Sequence, residues 1–281
     1  MEIIAEGLAF PEGPVVMADG SVIVVEIMAG RVTRCWNGRT EVVCETGGGP
    51  NGAAIGPDGA LWICNNGGMA PGGERGPGRI ERIDLTTGRC ERVHESCDGA
   101  ALRGPNDLVF DGAGRLWFTD LGSGHEDVRM IGGLYTASPD GGTVTAVNRR
   151  SISYNGIGLS PDQRSVYVAD TYQARVYRYD NRAEAQQPQW IATGIGPVGF
   201  DSLAVTEAGN ICVAMVMGGG GVATVTPQGA VTQLAIPEDS YVTNIAFGGA
   251  DMRDAYITLS GTGRLARMRW DEPGLKLAFN G

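Results

Sequence analysis

Gly104-Pro105-Asn106-Asp107-Leu108-Val109-Phe110-Asp111-Gly112-Ala113-Gly114-Arg115-Leu116-Trp117-Phe118-Thr119-Asp120 reads as an apolar run, a turn of Asp and Gly, and a second apolar run. A strand, a tight turn and a returning strand make a hairpin. The polar pair Asn106-Asp107 stands where the chain enters it. Working outward, the same grammar recurs. Phe10-Pro11-Glu12-Gly13-Pro14-Val15-Val16 leads to the turn Asp19-Gly20 and then to Ser21–Val25. Arg31–Trp36 and Thr40–Cys44 flank Asn37-Gly38, the strongest two-residue hairpin signal. Pro50-Asn51-Gly52, Tyr154-Asn155-Gly156, Phe200-Asp201-Ser202 and Val242-Thr243-Asn244 open further units of the same kind.

The leading polar residues Glu12, Asn51, Asn106, Asn155, Asp201 and Thr243 are 39 to 55 residues apart. Six units of four short strands at such a period predict an all-β, six-bladed β-propeller filling residues 1–281 as one domain. No unit can bury both of its faces alone, so the ring supplies the core. The phase of the repeat leaves the sixth unit one strand short. Glu2–Ala5 and Leu275–Phe279 compete for that slot, and the N-terminal strand is expected to close the ring with the tail nearby. A pair of β-sandwich domains is the alternative, but no linker or shift of composition divides the chain.

Composition narrows the function classes. Glycine supplies 45 of 281 residues, about twice the usual ~7% share, which suits many turns. The net charge of −10 argues against a nucleic-acid partner. Lys276 is the sole lysine, which makes a lysine nucleophile improbable. No apolar run is long enough for a membrane span. The first residues lack the basic and apolar regions of a signal peptide, so the expected location is cytoplasmic. The cysteines (35, 44, 64, 90, 97 and 212) contain no C-x-x-C pair and are expected as free thiols. Cys35 and Cys44, which flank a hairpin turn, are the one pair that could bridge.

The topology carries chemistry. In a propeller the first strand of each blade lines the central channel, so the six leading residues converge at one mouth. All offer side-chain oxygens and none a soft ligand, a set suited to a hard cation. Asn and Asp at strand starts also make local turns, but Glu does not, and recurrence at one structural place favours the channel.

Phe10-Pro11-Glu12-Gly13-Pro14, Gly104-Pro105-Asn106-Asp107-Leu108-Val109-Phe110-Asp111, Tyr154-Asn155-Gly156-Ile157-Gly158-Leu159-Ser160-Pro161-Asp162 and Phe200-Asp201-Ser202-Leu203-Ala204-Val205 together make the chain resemble the senescence marker protein / gluconolactonase / luciferin-regenerating family. The resemblance covers nearly the whole chain. It implies a divalent-metal-dependent hydrolase that opens a small lactone, chiefly of sugar type, to a hydroxy acid. By motif, the metal ligands would be Glu12, Asn155 and Asp201, with Asn106 as ligand or substrate contact. Arg103 would bind substrate, although it stands one residue further from Asn106 than the family's Arg-x-Asn. Asn51, at the equivalent place in the second unit, would bind substrate or support the ligands. The implied cofactor is one cation, calcium first, with Zn, Mn, Mg or Fe as alternatives. Asp201 would be the general base. Asp107, Asp120 and Asp170 could support a second ion, and residues 65–78 and 121–130 would shape the mouth.

The partner expected is a small molecule, with the protein a monomer or small homo-oligomer. A phosphotriesterase-like reaction at the same metal is the runner-up, and a non-catalytic interaction scaffold the third reading. Other motifs fail on context. Gly194-Ile195-Gly196-Pro197-Val198-Gly199 is followed by a strand pattern rather than a helix, which rejects a dinucleotide fold. There is no G-x-S-x-G. His94 and His125, the two histidines, form no H-E-x-x-H pair, and His125 reads as an exposed loop residue.

Overall fold

The turns come first. Between the first and second strands of a blade the chain must reverse within four or five residues, and aspartate does this by hydrogen-bonding its own backbone. Asp19 accepts from the Ser21 N–H, Asp58 from Ala60, Asp111 from Ala113 and Arg115, Asp162 from Arg164, and Asp251 from Arg253. Each reversal sends an apolar strand back beside the one before it. A computed structural model, which describes residues 1–280 apart from 69–75, 126, 127, 139, 141 and 152, shows the outcome.

Six four-stranded antiparallel sheets form a ring, and no helix occurs among the described residues. Blade 1 is Pro11–Val16, Val22–Glu26, Arg31–Trp36 and Arg39–Glu45. Blade 2 is Pro50–Ile55, Leu61–Asn65, Arg79–Ile83 and Cys90–His94. Blade 3 is Pro105–Phe110, Leu116–Asp120, Gly132–Ala137 and Val144–Ser151. Blade 4 is Tyr154–Leu159, Ser165–Asp170, Arg175–Asp180 and Gln189–Thr193. Blade 5 is Gly199–Val205, Ile211–Val216, Gly221–Val225 and Val231–Ala235. Blade 6 is Val242–Gly248, Asp254–Leu259 and Arg264–Arg269, and its outermost strand is Glu2–Ala5. The N-terminal strand therefore closes the ring, as the repeat phase requires. Within 121–130, Ser123–His125 and Val128–Met130 pair as a small extra hairpin.

The apolar core divides into six clusters, one at each junction between neighbouring blades. Second strands are apolar on both faces because each is sandwiched. Val22 and Val24 face blade 6, whereas Ile23 and Val25 face blade 2. At the junction of blades 2 and 3 the Trp62 and Phe110 rings meet edge to face at 5.6 Å, a preferred aromatic geometry. All six cysteines are free. Cys35 pairs across its hairpin with Thr40 and Cys44 with Val32, so the two cysteines do not face each other.

The tail takes no blade position. Leu275 donates its N–H to Val205 O, and Leu275, Leu277 and Phe279 pack in turn on blades 4–5, 3–4 and 1–3. The tail thus crosses the channel at the end away from the leading residues. There the channel holds a cavity of about 640 Å³, walled by Leu108, Ile157, Leu203, Ile245 and the tail.

Candidate metal centre

Every inner strand carries a register break close to its start. In blades 2 to 5 two residues face one on the neighbouring strand: Asn51-Gly52, Asn106-Asp107, Asn155-Gly156 and Asp201-Ser202. In blade 1 the pair is Gly13-Pro14, directly after Glu12, and in blade 6 the break falls at Thr243. Bulges of this kind re-aim side chains. Here they gather polar groups from all around the ring.

Glycine lets the bulges of adjacent blades touch. A Cβ on Gly13 would lie 2.6 Å from Asn51 O, and one on Gly156 2.6 Å from Asp201 O. A Cβ on Gly52 would collide with Asp107. The backbones of blades 1 and 2, 2 and 3, and 4 and 5 are thereby locked side by side at the level of the leading residues.

Glu12, Asn51, Asn106, Asp107, Asn155 and Asn244 are buried at this level, and Asp201 is half-buried beside them. Glu12 Oε2 accepts from the Gly13 N–H and from Asn244 Nδ2, both at 2.8 Å. Asn155 Nδ2 donates to Thr171 Oγ1 at 3.1 Å, and Ser202 Oγ approaches Asn155 Oδ1 at 3.4 Å. Asn106 Oδ1 is buried without a hydrogen-bond partner.

The electrostatics match. Burial, opposed by the Asn244, Gly13 and Thr243 hydrogen bonds, raises the Glu12 carboxyl to about 7. Burial and then the Glu12 charge raise Asp107 to about 7. Burial, then Glu12, push Asp201 well above the ordinary carboxylate range, with Asp107 adding to the effect and the Asn155 hydrogen bond opposing it. Three acids thus repel one another in a dry place.

Among the described residues no three His, Cys, Asp or Glu side chains form a compact metal-holding group, so a cation here would need the amides as well. The orphaned Asn106 oxygen and the mutually repelling Glu12 and Asp201 provide such a set. All are hard oxygen donors, which fits a hard divalent cation.

Several expectations need correction. Thr243 is placed otherwise than expected. Its hydroxyl is shared among Pro11 O, Thr258 and Ser260 at the junction of blades 6 and 1 as well as acting on Glu12, while the neighbouring Asn244 gives Glu12 its 2.8 Å amide hydrogen bond. Asp120 and Asp170, expected as possible supports for a second ion, are engaged by neighbouring protein groups at the mouth. Asp120 accepts the N–H groups of Arg103, Gly104 and Gly122. Asp170 accepts from Ser153 Oγ and from Gln173. Together with Glu26, which accepts from the Ala9 N–H, and Asn65, which accepts from Gly49 and Gly67, they form a recurring device. In blades 1 to 4 the last residue of the second strand ties down nearby loops at the mouth, including those that deliver the inner strands. A polar residue closing the second run of the first four units was the signal available in the sequence.

Arg103 is on the loop into blade 3, where its N–H donates to Asp120 at 2.8 Å. The expectations for residues 65–78 and 121–130 fall partly, and that for the His125 side chain wholly, outside the described residues. Asp107 and Asn244 are the site residues that sequence reasoning placed too low. Each directly follows a leading residue, and only the bulge shows that both members of such a pair can matter.

The family description "SMP-30/Gluconolactonase/LRE-like region" matches residues 10–261. The chain belongs to this family. Among curated relatives, it is 26% identical over 196 residues to a gluconolactonase of Zymomonas mobilis, a match covering 62% of this chain and 52% of the relative. It is 30% identical over 178 residues to lactonase drp35 of Staphylococcus aureus, covering 59% of this chain and 50% of the relative. The chain spans about half the length of these relatives. The crystal structure of regucalcin from Agrobacterium tumefaciens, a calcium-binding protein, superposes with a TM-score of 0.71 at 19% identity, covering 99% of this chain and 100% of that one. That likeness shows the shared propeller.

Proposed function

We propose that this chain is a divalent-metal-dependent hydrolase that opens a lactone to a hydroxy acid. The carrying observation is the bulge-presented set of Glu12, Asn106, Asn155 and Asp201, with its unpartnered amide oxygen and mutually raised carboxyls. The gluconolactonase and lactonase relatives supply the reaction class. These four residues would hold the cation, and the all-oxygen set, with the calcium-binding regucalcin sharing the fold, favours calcium. When bound, the cation supplies Lewis acidity toward a carbonyl and an acidified water.

The rest belongs to the chain. Asn244 holds Glu12 in place through Oε2. Thr171 and Ser202 orient the Asn155 amide. Asp201 takes the proton of the attacking water as its oxygen bonds to the carbonyl carbon, and returns it to the ring oxygen as the acyl–oxygen bond breaks. The free thiols agree with a reducing, cytoplasmic setting.

The test is proton release across a lactone panel, using chelator-stripped protein given Ca²⁺, Mg²⁺, Mn²⁺, Zn²⁺ or Fe²⁺ singly. Turnover restored by one ion is expected. Silence with every lactone, alongside turnover of a phosphorus ester, would replace the lactone with the runner-up substrate class.

A further inference from the structure

The mouth above the candidate centre is built unevenly. On the side of blades 2 and 3 it presents Asn51, Asn106 and the arginine-bearing loop at Arg103. From blade 4 round to blade 1 it presents large apolar groups. Tyr172 is 46% exposed, Met217 43% and Tyr241 45%. These residues form a connected arc. Thr171, which orients the candidate ligand Asn155, is the neighbour of Tyr172. The Met217 methyl and Thr171 both pack where a Cβ on Gly199 would stand, two residues before Asp201. Tyr241 is bridged to Val216, beside Met217, and its ring meets Phe10 at 6.2 Å, two residues before Glu12.

The backbone adds a second, independent observation. Phe10 and Met217 both hold left-handed φ, 61° and 58°. Bulky residues seldom adopt this region; Met252, by the tail-side cavity, is another that does. Phe10 and Met217 both flank the same half of the mouth, where exposed apolar groups would otherwise be a liability.

Resting on the lactonase reading, we propose that the substrate is amphipathic: a lactone whose ring carries an aromatic or alkyl group, seated on the arc of Tyr172, Met217, Tyr241 and Phe10. A polyhydroxylated sugar lactone would lay several of its hydroxyls against ring faces and the Met217 thioether, where only the two tyrosine hydroxyls can pair with them, which costs affinity. A fused or pendant apolar group would gain area burial and aromatic contact there.

The test pairs two six-membered lactones, dihydrocoumarin and glucono-δ-lactone, on the metal-loaded protein. The expected kcat/KM favours dihydrocoumarin by roughly tenfold or more. Tyr172→Ser and Met217→Ser, both at exposed positions, are expected to reduce that preference about fivefold each, through KM for the aromatic lactone. Preference for glucono-δ-lactone, or a ratio that neither variant moves, would overturn the proposal while leaving lactone hydrolysis standing. If neither lactone turns over, the reaction class falls, and calorimetric binding of the lactam 3,4-dihydroquinolin-2-one decides the rim. Binding weakened by both variants upholds the apolar arc, and no binding ends it.

Discussion

Asp201 and Glu26 show two opposite uses of a buried carboxylate. Asp201 is pushed upward by burial and by the Glu12 charge. Replacing it with Asn keeps the shape and removes a repelling charge. Asp201→Asn is therefore expected to leave the chelated protein as stable as wild type or more so, as is common where function is bought with strain. Turnover should fall by at least ~10²-fold, the scale of lost general-base catalysis. Thermal melts with and without calcium, beside initial rates, check both parts; unchanged turnover would remove Asp201 from the mechanism. Glu26 is fully buried but satisfied. It accepts from Arg31, Thr33 and the Ala9 N–H. Although burial opposes them, these bonds hold its carboxyl below the usual range. A lowered folded value means stability that is present above the unfolded value near 4.5 and lost as pH falls through the folded one. Glu26→Gln should cost about 2 kcal/mol at pH 7, and the gap from wild type should close as pH falls below ~4. Urea titrations at several pH values measure it; a gap that does not change with pH would show that the charge contributes nothing.

At the scale of the element, the bulge is what joins fold to site. Strand, turn and period could be read from the sequence because alternation and Asp-Gly turns are local signals. Glu12, Asn51, Asn106, Asn155 and Asp201 could be placed at the mouth because they recur at one phase of the repeat. Whether Thr243 or Asn244 faces inward could not be read, since a single extra residue exchanges the two faces of a strand. Nor could the duties of Asp120 and Asp170, because an acid that ends a strand looks the same whether it holds an ion or three backbone N–H groups. The glycines at the bulges carry the next prediction. In Gly156→Ala the new methyl would meet Asp201 O, Leu203 N and Ser202 Cα at 2.6 to 2.7 Å, all of them backbone. None can rotate away, so blade 5 must shift at the position of Asp201. A stability loss of about 1–3 kcal/mol is expected, as for other overpacking. Turnover should fall further than that loss explains, by roughly 10²-fold for a misplacement near 1 Å. Rates measured well below the melting temperature separate the two. A variant that is less stable but fully active would show that the close approach of blades 4 and 5 does not position Asp201.

At the scale of the molecule, each blade of the ring keeps one short outer edge strand, and the last blade has its own only by joining the two ends of the chain. Blade 6 borrows its outermost strand from the other end of the chain. Glu2 pairs with Arg267 and Ala5 with Leu265, and Arg267 also holds Glu2 in an ion pair at 2.6 Å. Little apolar area is buried there. Ala5 is buried, Ile4 half-buried and Ile3 exposed. What the strand supplies is mostly a partner for the backbone of Arg264–Arg269. Removing residues 1–6 should therefore do two things at once. It should cost about 4 kcal/mol, a drop of roughly 10 °C for a domain of this size, and it should replace the short, charged edge of Glu2–Ala5 with the longer strand Arg264–Arg269, which then pairs with other copies. Removing residues 275–280 is the matched control. It uncovers the cavity of about 640 Å³ and strips Leu275, Leu277 and Phe279 from the blades, but every sheet stays four-stranded. That truncation should lower the melting temperature without changing the oligomeric state. Light scattering on the two truncations distinguishes the effects. Self-association in the first and not the second is the expected result. Two monomeric truncations would mean that blade 6 holds without its borrowed strand, and that ring closure rests on side-chain packing between blades 6 and 1 alone.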